Sequence, residues 1–162
     1  MAKLWKKGRG KLGLFLPLLG RWVAEAETPM GRVRVSRSLS SILGGHYLEL
    51  KVFWDFGPSG SGKGYEEVAV IGVGDDKQVG FWSFTSDGKR STGTLADVTD
   101  LHEEAVGFEA QMPAGLARMA YWPEEGGGFS WVVESKNPKG WKRLVHDHYR
   151  PAASDHPSED RD

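Results

Sequence analysis

The chain has 162 residues, no cysteine, and 21 Lys and Arg against 22 Asp and Glu, for a net charge of −1. That length suits one domain with a sizeable core. The balanced charge gives no nucleic-acid footprint. The lack of cysteine excludes disulfides and thiolate metal sites, and with no call for an oxidising compartment a cytoplasmic location is expected. No apolar run approaches the roughly 20 residues of a membrane-spanning helix.

Residues 1–11 carry Lys3, Lys6, Lys7, Arg9 and Lys11 with no acid, and read as a basic, solvated tail. The apolar stretch 12–19 is too short for an independent helix and reads as a single turn that plugs one end of something. Together with Ala24-Glu25-Ala26 it imitates a secretion signal, but Pro17 interrupts the run, and Arg21 and Trp22 stand before the cleavage-like site.

From Arg21 onward, strand-like runs alternate with turn signals. The first covers 21–28 and is closed by Pro29-Met30-Gly31. The second covers 32–39, with Val33 and Val35 opposite Arg32, Arg34 and Ser36. In the third, 46–56, His46, Leu48, Leu50, Val52, Trp54 and Phe56 share one face, opposite Tyr47, Glu49, Lys51 and Asp55. A period of two over that span is incompatible with a helix. The Gly-rich turn 57–64 nearly spells a phosphate-binding loop. Gly64, however, stands where a hydroxyl should meet magnesium, and a strand follows where a helix is needed. Further runs cover 65–73, 78–85, 89–98, 105–112, 116–122, 129–136 and 141–150. Between them lie Gly74-Asp75-Asp76-Lys77, Asp87-Gly88, Pro113-Ala114-Gly115 and Asn137-Pro138-Lys139-Gly140. Residues 151–162 form an acidic tail.

About ten runs with short links leave no room for helical crossovers, so the sheet is antiparallel and pairs neighbour to neighbour. Left open, it would expose two bare edges, and closure removes them. The expected fold is all-β: a closed antiparallel up-and-down barrel over 12–150 with a short N-terminal helical plug. Seven Trp and 22 Gly suit short strands with large inward side chains and tight turns. A barrel of this width holds a cavity unless its aromatics fill it.

Gly20-Arg21-Trp22, directly after the plug, resembles the Gly-x-Trp signature of lipocalins. The resemblance implies a calycin barrel in which Trp22 packs at the closed end against a basic residue of the last strand, Arg150 in preference to Arg143. With Leu43-Gly44-Gly45-His46-Tyr47-Leu48, Phe81-Trp82-Ser83-Phe84 and the closing His148-Tyr149-Arg150, the chain is similar to a bacterial lipocalin-like family of unassigned activity. Trp22 and Pro17-Leu18-Leu19-Gly20 also resemble the nitrobindins, ten-stranded barrels that hold haem through a histidine near the barrel end, although the last strand departs from their pattern. That likeness implies haem as an alternative cofactor, with His146 or His148 as axial ligand.

His146 and His148, two apart, share a face of the last strand with Leu144 and Arg150. They could form a metal pair, although two histidines are too few for zinc unless His46 or a carboxylate joins them. The other reading is an exterior polar stripe, with Trp141, Val145 and Tyr149 inward. His46 heads an apolar face and reads as an interior polar anchor. Trp54, Phe56, Trp82, Phe84, Trp122 and Trp131 are candidate cavity walls or core filling. Arg118 shares the Leu116, Ala120 and Trp122 face, and if buried it needs an anion: a ligand carboxylate, Glu109 or Glu134. His102-Glu103-Glu104 reads as a solvated loop.

No pattern reads as catalytic. The leading expectation is a non-enzymatic barrel that binds a small hydrophobic or amphipathic ligand, with His46 and Arg118 supplying polarity. The alternatives are a haem protein, an isomerase or cyclase using His46 as acid or base, and a filled barrel that forms a homodimer through outer residues such as Phe53 and Tyr47.

Overall fold

The computed structural model describes residues 3–29, 31–56 and 64–153. The Gly-rich stretch 57–63 and the acidic end from 154 lie outside the described residues. Ten strands follow in order: β1 (Gly20–Thr28), β2 (Gly31–Ile42), β3 (Tyr47–Asp55), β4 (Gly64–Val73), β5 (Val79–Thr85), β6 (Arg90–Ala96), β7 (Val106–Met112), β8 (Gly115–Pro123), β9 (Phe129–Asn137) and β10 (Gly140–Pro151). Each pairs antiparallel with its neighbour in sequence, and β10 returns to β1 to close the barrel. The architecture is the expected one and is consistent with a calycin or lipocalin-like fold. Among the described residues no helix is long and apolar enough to cross a membrane.

Alternation sorts the side chains. Val33, Val35 and Leu39 of β2, and Leu48, Leu50 and Val52 of β3, are buried in one core with Ala69, Ile71, Phe81, Phe108, Tyr121, Phe129 and Tyr149. The plug is a 3₁₀ turn, Lys11–Leu18, with Phe15 and Leu18 buried. Phe15 stacks on Phe108 at 5.6 Å between ring centres, and Phe108 meets Phe81 edge-on at 5.1 Å. The Trp22 indole N–H donates to the Leu18 carbonyl at 2.9 Å, and its ring meets Phe129 edge-on at 4.9 Å. Trp22 thus helps to close this end, but its partners are a plug carbonyl and a phenyl ring. Among the described residues no cation stands over it, and Arg150, backbone-paired with Val23, is exposed. The alternation puts Arg150 outside while Trp22 turns in.

The loop 97–105 between β6 and β7 folds back over the outside of β8 and β9. There Val98 and Ala105 bury Ala120 and Val132 in a second, exterior apolar cluster flanked by Leu101 and Trp122. Glu104 of this loop is buried and accepts the backbone N–H groups of Leu4 and Trp5, each at 3.0 Å. Neither the loop acid nor the N-terminal segment is simply solvated. The two N–H donors, Leu4 first, hold the Glu104 carboxyl below its ordinary range. This tether is at full strength above the usual carboxylate pKa and is lost as pH falls through the lower folded value. Glu104→Gln is expected to speed tryptic cleavage at Lys6 and Lys7 several-fold at neutral pH. Unchanged cleavage would show that the segment is held by other contacts.

Two irregularities shape the rest. The β1–β10 ladder has only two pairs, Trp22↔Pro151 and Val23↔Arg150, whereas the β1–β2 ladder runs from Gly20↔Leu39 to Thr28↔Gly31. The β9–β10 register shifts between Arg143 and Val145, so Leu144 is an extra, bulged residue. A bulge bends its strand and moves the following side chains to the other face. Trp141 and Arg143 pair with the outward Lys136 and Glu134, while Val145 pairs with the inward Val133.

Candidate functional site

Where the β1–β10 ladder stops, the barrel wall parts. The cleft between the two strands has a volume of about 520 Å³ and is lined by Ala26, Val33, Trp54, Trp131, Val145 and Asp147 among others. That volume lies within the roughly 300–1,000 Å³ of small-molecule sites. Trp54 of β3 and Trp131 of β9, both expected as walls, line it. Phe56, the third expected wall on the β3 face, packs against the same core.

The interior beside the cleft is polar. Arg37, on the inward face of β2 with Val33, Val35 and Leu39, is only 4% exposed. Its guanidinium lies over the rings of Trp131 at 4.5 Å, Tyr149 at 5.0 Å and Tyr121 at 5.6 Å. Its Nη1 donates to the Tyr121 hydroxyl at 2.9 Å. Nε and Nη2 make no hydrogen bond, nor do Trp131 Nε1 and the Tyr149 hydroxyl. Buried donors without partners are rare and mark places where a ligand or water group belongs. Burial alone would lower the Arg37 pKa, but Tyr121, Tyr149 and Glu67 outweigh it and the net shift is upward. Burial pushes both tyrosine hydroxyls up as well. Asp147 is 7% exposed and makes no hydrogen bond or ion pair to another described residue. Burial raises its pKa, opposed by the positive charge of Arg37.

Toward the plug the barrel is filled. The void among Phe15, Leu18, Arg37, Leu39, Leu50, Ile71, Tyr121 and Phe129 is about 10 Å³, at most one water. The half nearer the plug is therefore core, and the open seam holds the cavity. A larger trough of about 730 Å³, with Arg21, Arg34, Lys51, Phe53 and Val68, lies on the outer face of β1–β4 and is not internal.

Several expected site residues lie elsewhere. His46 is exposed in the turn before β3, with αR backbone (φ −78°, ψ −18°) that ends the strand alternation one residue short. Trp82 and Phe84 face outward, 38% and 51% exposed, while Phe81 and Ser83 take the inner positions of β5. Apolar composition does not settle which side of a strand is inside. Arg118 and Trp122 do share a face, but it is the outer one, covered by the loop 97–105. Arg118 is buried there with Glu134 (2.8 Å) and Asp100 (2.9 Å), and Glu134 also takes Arg143 at 2.9 Å. The Trp141 ring lies 4.2 Å from the Arg118 guanidinium. The anion expected for Arg118 is thus protein-borne, and no ligand carboxylate is needed. Arg118 in turn, chiefly by hydrogen bonding, holds the Asp100 carboxyl below its ordinary range.

His146 and His148 face outward, with Val145 and Tyr149 inward as the polar-stripe reading had them, but Trp141, which that reading put inward, lies outside against Arg118 because the register shifts at Leu144. Burial and the charges of His148 and Arg143 lower the His146 pKa. Among the described residues no histidine points into the barrel. The last-strand histidines therefore offer no axial ligand to a haem inside the barrel, where Arg37, Tyr121 and Tyr149 lie beside Trp131.

Sequence reasoning missed Arg37, Asp147 and Tyr121, and placed Tyr149 inward without giving it a role. For Arg37 a signal existed: it continues the Val33, Val35, Leu39 alternation. Asp147 shares the parity of Val145 and Tyr149 and was passed over as a site residue. Comparison with protein-family models and with curated proteins finds no match to this chain. The closed ten-strand antiparallel barrel is consistent with a calycin or lipocalin-like fold.

Proposed function

We propose that this protein binds a small hydrophobic or amphipathic molecule in the cleft between β1 and β10. Trp54 and Trp131 supply the walls. Asp147 and the unpaired donors of Arg37, Trp131 and Tyr149 take the ligand's polar end. The observation that supports this best is the early end of the β1–β10 ladder, which opens an aromatic-walled space of about 520 Å³ beside four buried, unpartnered donor atoms. The reading extends the lipocalin-like resemblance of Gly20-Arg21-Trp22 from fold to ligand carriage, without an enzymatic step. His46, exposed in a turn, offers no acid or base to the cleft.

Ala26→Trp fills the cleft from β1. It is expected to weaken uptake of 1-anilinonaphthalene-8-sulfonate at least tenfold, read by fluorescence, with the far-ultraviolet dichroism unchanged. Undiminished uptake would place the binding site elsewhere. Self-association is a second reading, favoured by Phe53, Val68, Trp82 and Phe84 exposed on the outer face of β3–β5, where Val68 pairs with Phe84. Native mass spectrometry separates the two: a carried small-molecule mass supports the cleft, a bare dimer the outer face.

A further inference from the structure

The exterior of β8–β10 carries a second constellation, one member of which, His146, also borders the cleft. His146 and His148 project side by side from β10, with ring centres 4.6 Å apart. The turn after β8 brings Glu124 against them, its Oε2 at 3.2 Å from His148 Nδ1. One ligating atom from each of Glu124, His146 and His148 lies within 4.8 Å of the others. The sequence could not reveal this, because Glu124 is more than twenty positions away and only the β8–β9–β10 register joins the three.

We infer that Glu124, His146 and His148 form a binding site for a divalent transition metal ion of the zinc type on the outer wall of the barrel. Two imidazoles and one carboxylate are the donor set of three-ligand zinc sites, in which a water or an anion takes the fourth position. Zinc bonds of about 2.0–2.1 Å place tetrahedral donors about 3.4 Å apart. The His148–Glu124 pair is already near that spacing, and His146 closes the rest by turning an exposed ring. Ser130 is buried at the centre, its hydroxyl donating to Glu124 Oε2 and lying 3.1 Å from His146 Nε2. It is placed to orient the carboxylate as second-layer hydrogen bonds do in metal sites. On its far side the His146 ring lies 5.7 Å from that of Trp122. Arg143 approaches His146 Nδ1 at 3.4 Å, but Glu134 holds its guanidinium, so Nε2 is the nitrogen that faces the cluster. Oxygen and imidazole donors suit zinc, cobalt, nickel and copper rather than magnesium or calcium.

The test is titration of the full chain, free of purification tags, with Zn²⁺ at neutral pH by calorimetry, and with Co²⁺ by visible absorption. One Zn²⁺ per chain is expected, and Co²⁺ is expected to give the intense bands of tetrahedral coordination. Glu124→Gln and His148→Ala should each weaken Zn²⁺ binding at least tenfold, with melting of the metal-free protein unchanged. The His46→Ala/His156→Ala double variant should bind as the parent does. No stoichiometric binding below 100 μM, or binding that survives His146→Ala/His148→Ala, would overturn the site.

Discussion

Glu134→Ala is expected to cost about 3–5 kcal/mol of folding stability, the range seen when one partner of a buried ion pair is removed. Glu134 is buried and bonds two guanidiniums at once: Oε1 takes Arg118 Nε at 2.9 Å and Oε2 takes Arg143 Nε at 3.0 Å. Its loss leaves the buried Arg118 cation with only Asp100 at the loop surface. The charge stays under the loop 97–105 because Trp141 and the strand backbone fix it there. Urea unfolding gives the measurement, through a lower midpoint at an unchanged slope. Replacing both Arg118 and Glu134 with apolar residues of similar size should cost far less than the single change, since no stranded charge remains. A loss below about 1 kcal/mol for Glu134→Ala would mean that water reaches Arg118 freely.

Phe15→Ala is expected to cost about 3–5 kcal/mol as well, for a different reason. Phe15 is fully buried and stacks on Phe108, so its ring couples the plug to β7. Truncation removes the apolar contact and leaves a void where only about 10 Å³ is now free. The closed half of the barrel should then accept xenon or benzene, visible as shifts in the methyl spectrum of Leu18, Leu39 and Leu50. The parent protein, filled at that end, should show none of these. A cost below about 1 kcal/mol would mean that the plug lies outside the cooperative core. Affinity for the probe dye at the β1–β10 cleft should be preserved in the folded fraction, since the cleft lies on the other side of Arg37.

Much of the site was hidden by ambiguity between faces. Period-two alternation says that Leu116, Arg118, Ala120 and Trp122 share a face, and they do, but it is equally compatible with either side. Two non-local features chose the outer one. The loop 97–105 covers that side with Val98 and Ala105, so apolar residues are buried outside the barrel as well as inside it. The polar network around Glu134 then makes Arg118 tolerable there. In β5 the inner place went to Phe81, which meets Phe108, and Trp82 and Phe84 were left at the surface.

The number and order of the strands, the antiparallel neighbour pairing, the closure of the barrel and the short plug ahead of Trp22 are written in the chain itself. These follow from local signals: alternation over five to ten residues, Gly- and Pro-marked turns, and links too short for a crossover. Which face of β5, β8 and β10 turns inward, how far the β1–β10 seam stays shut, and that Glu124 stands beside His146 and His148 are settled by long-range packing. The reason is that these depend on a single bulged residue, Leu144, and on contacts between segments distant in the chain. Shifting one residue exchanges wall for surface, and no local pattern records that shift.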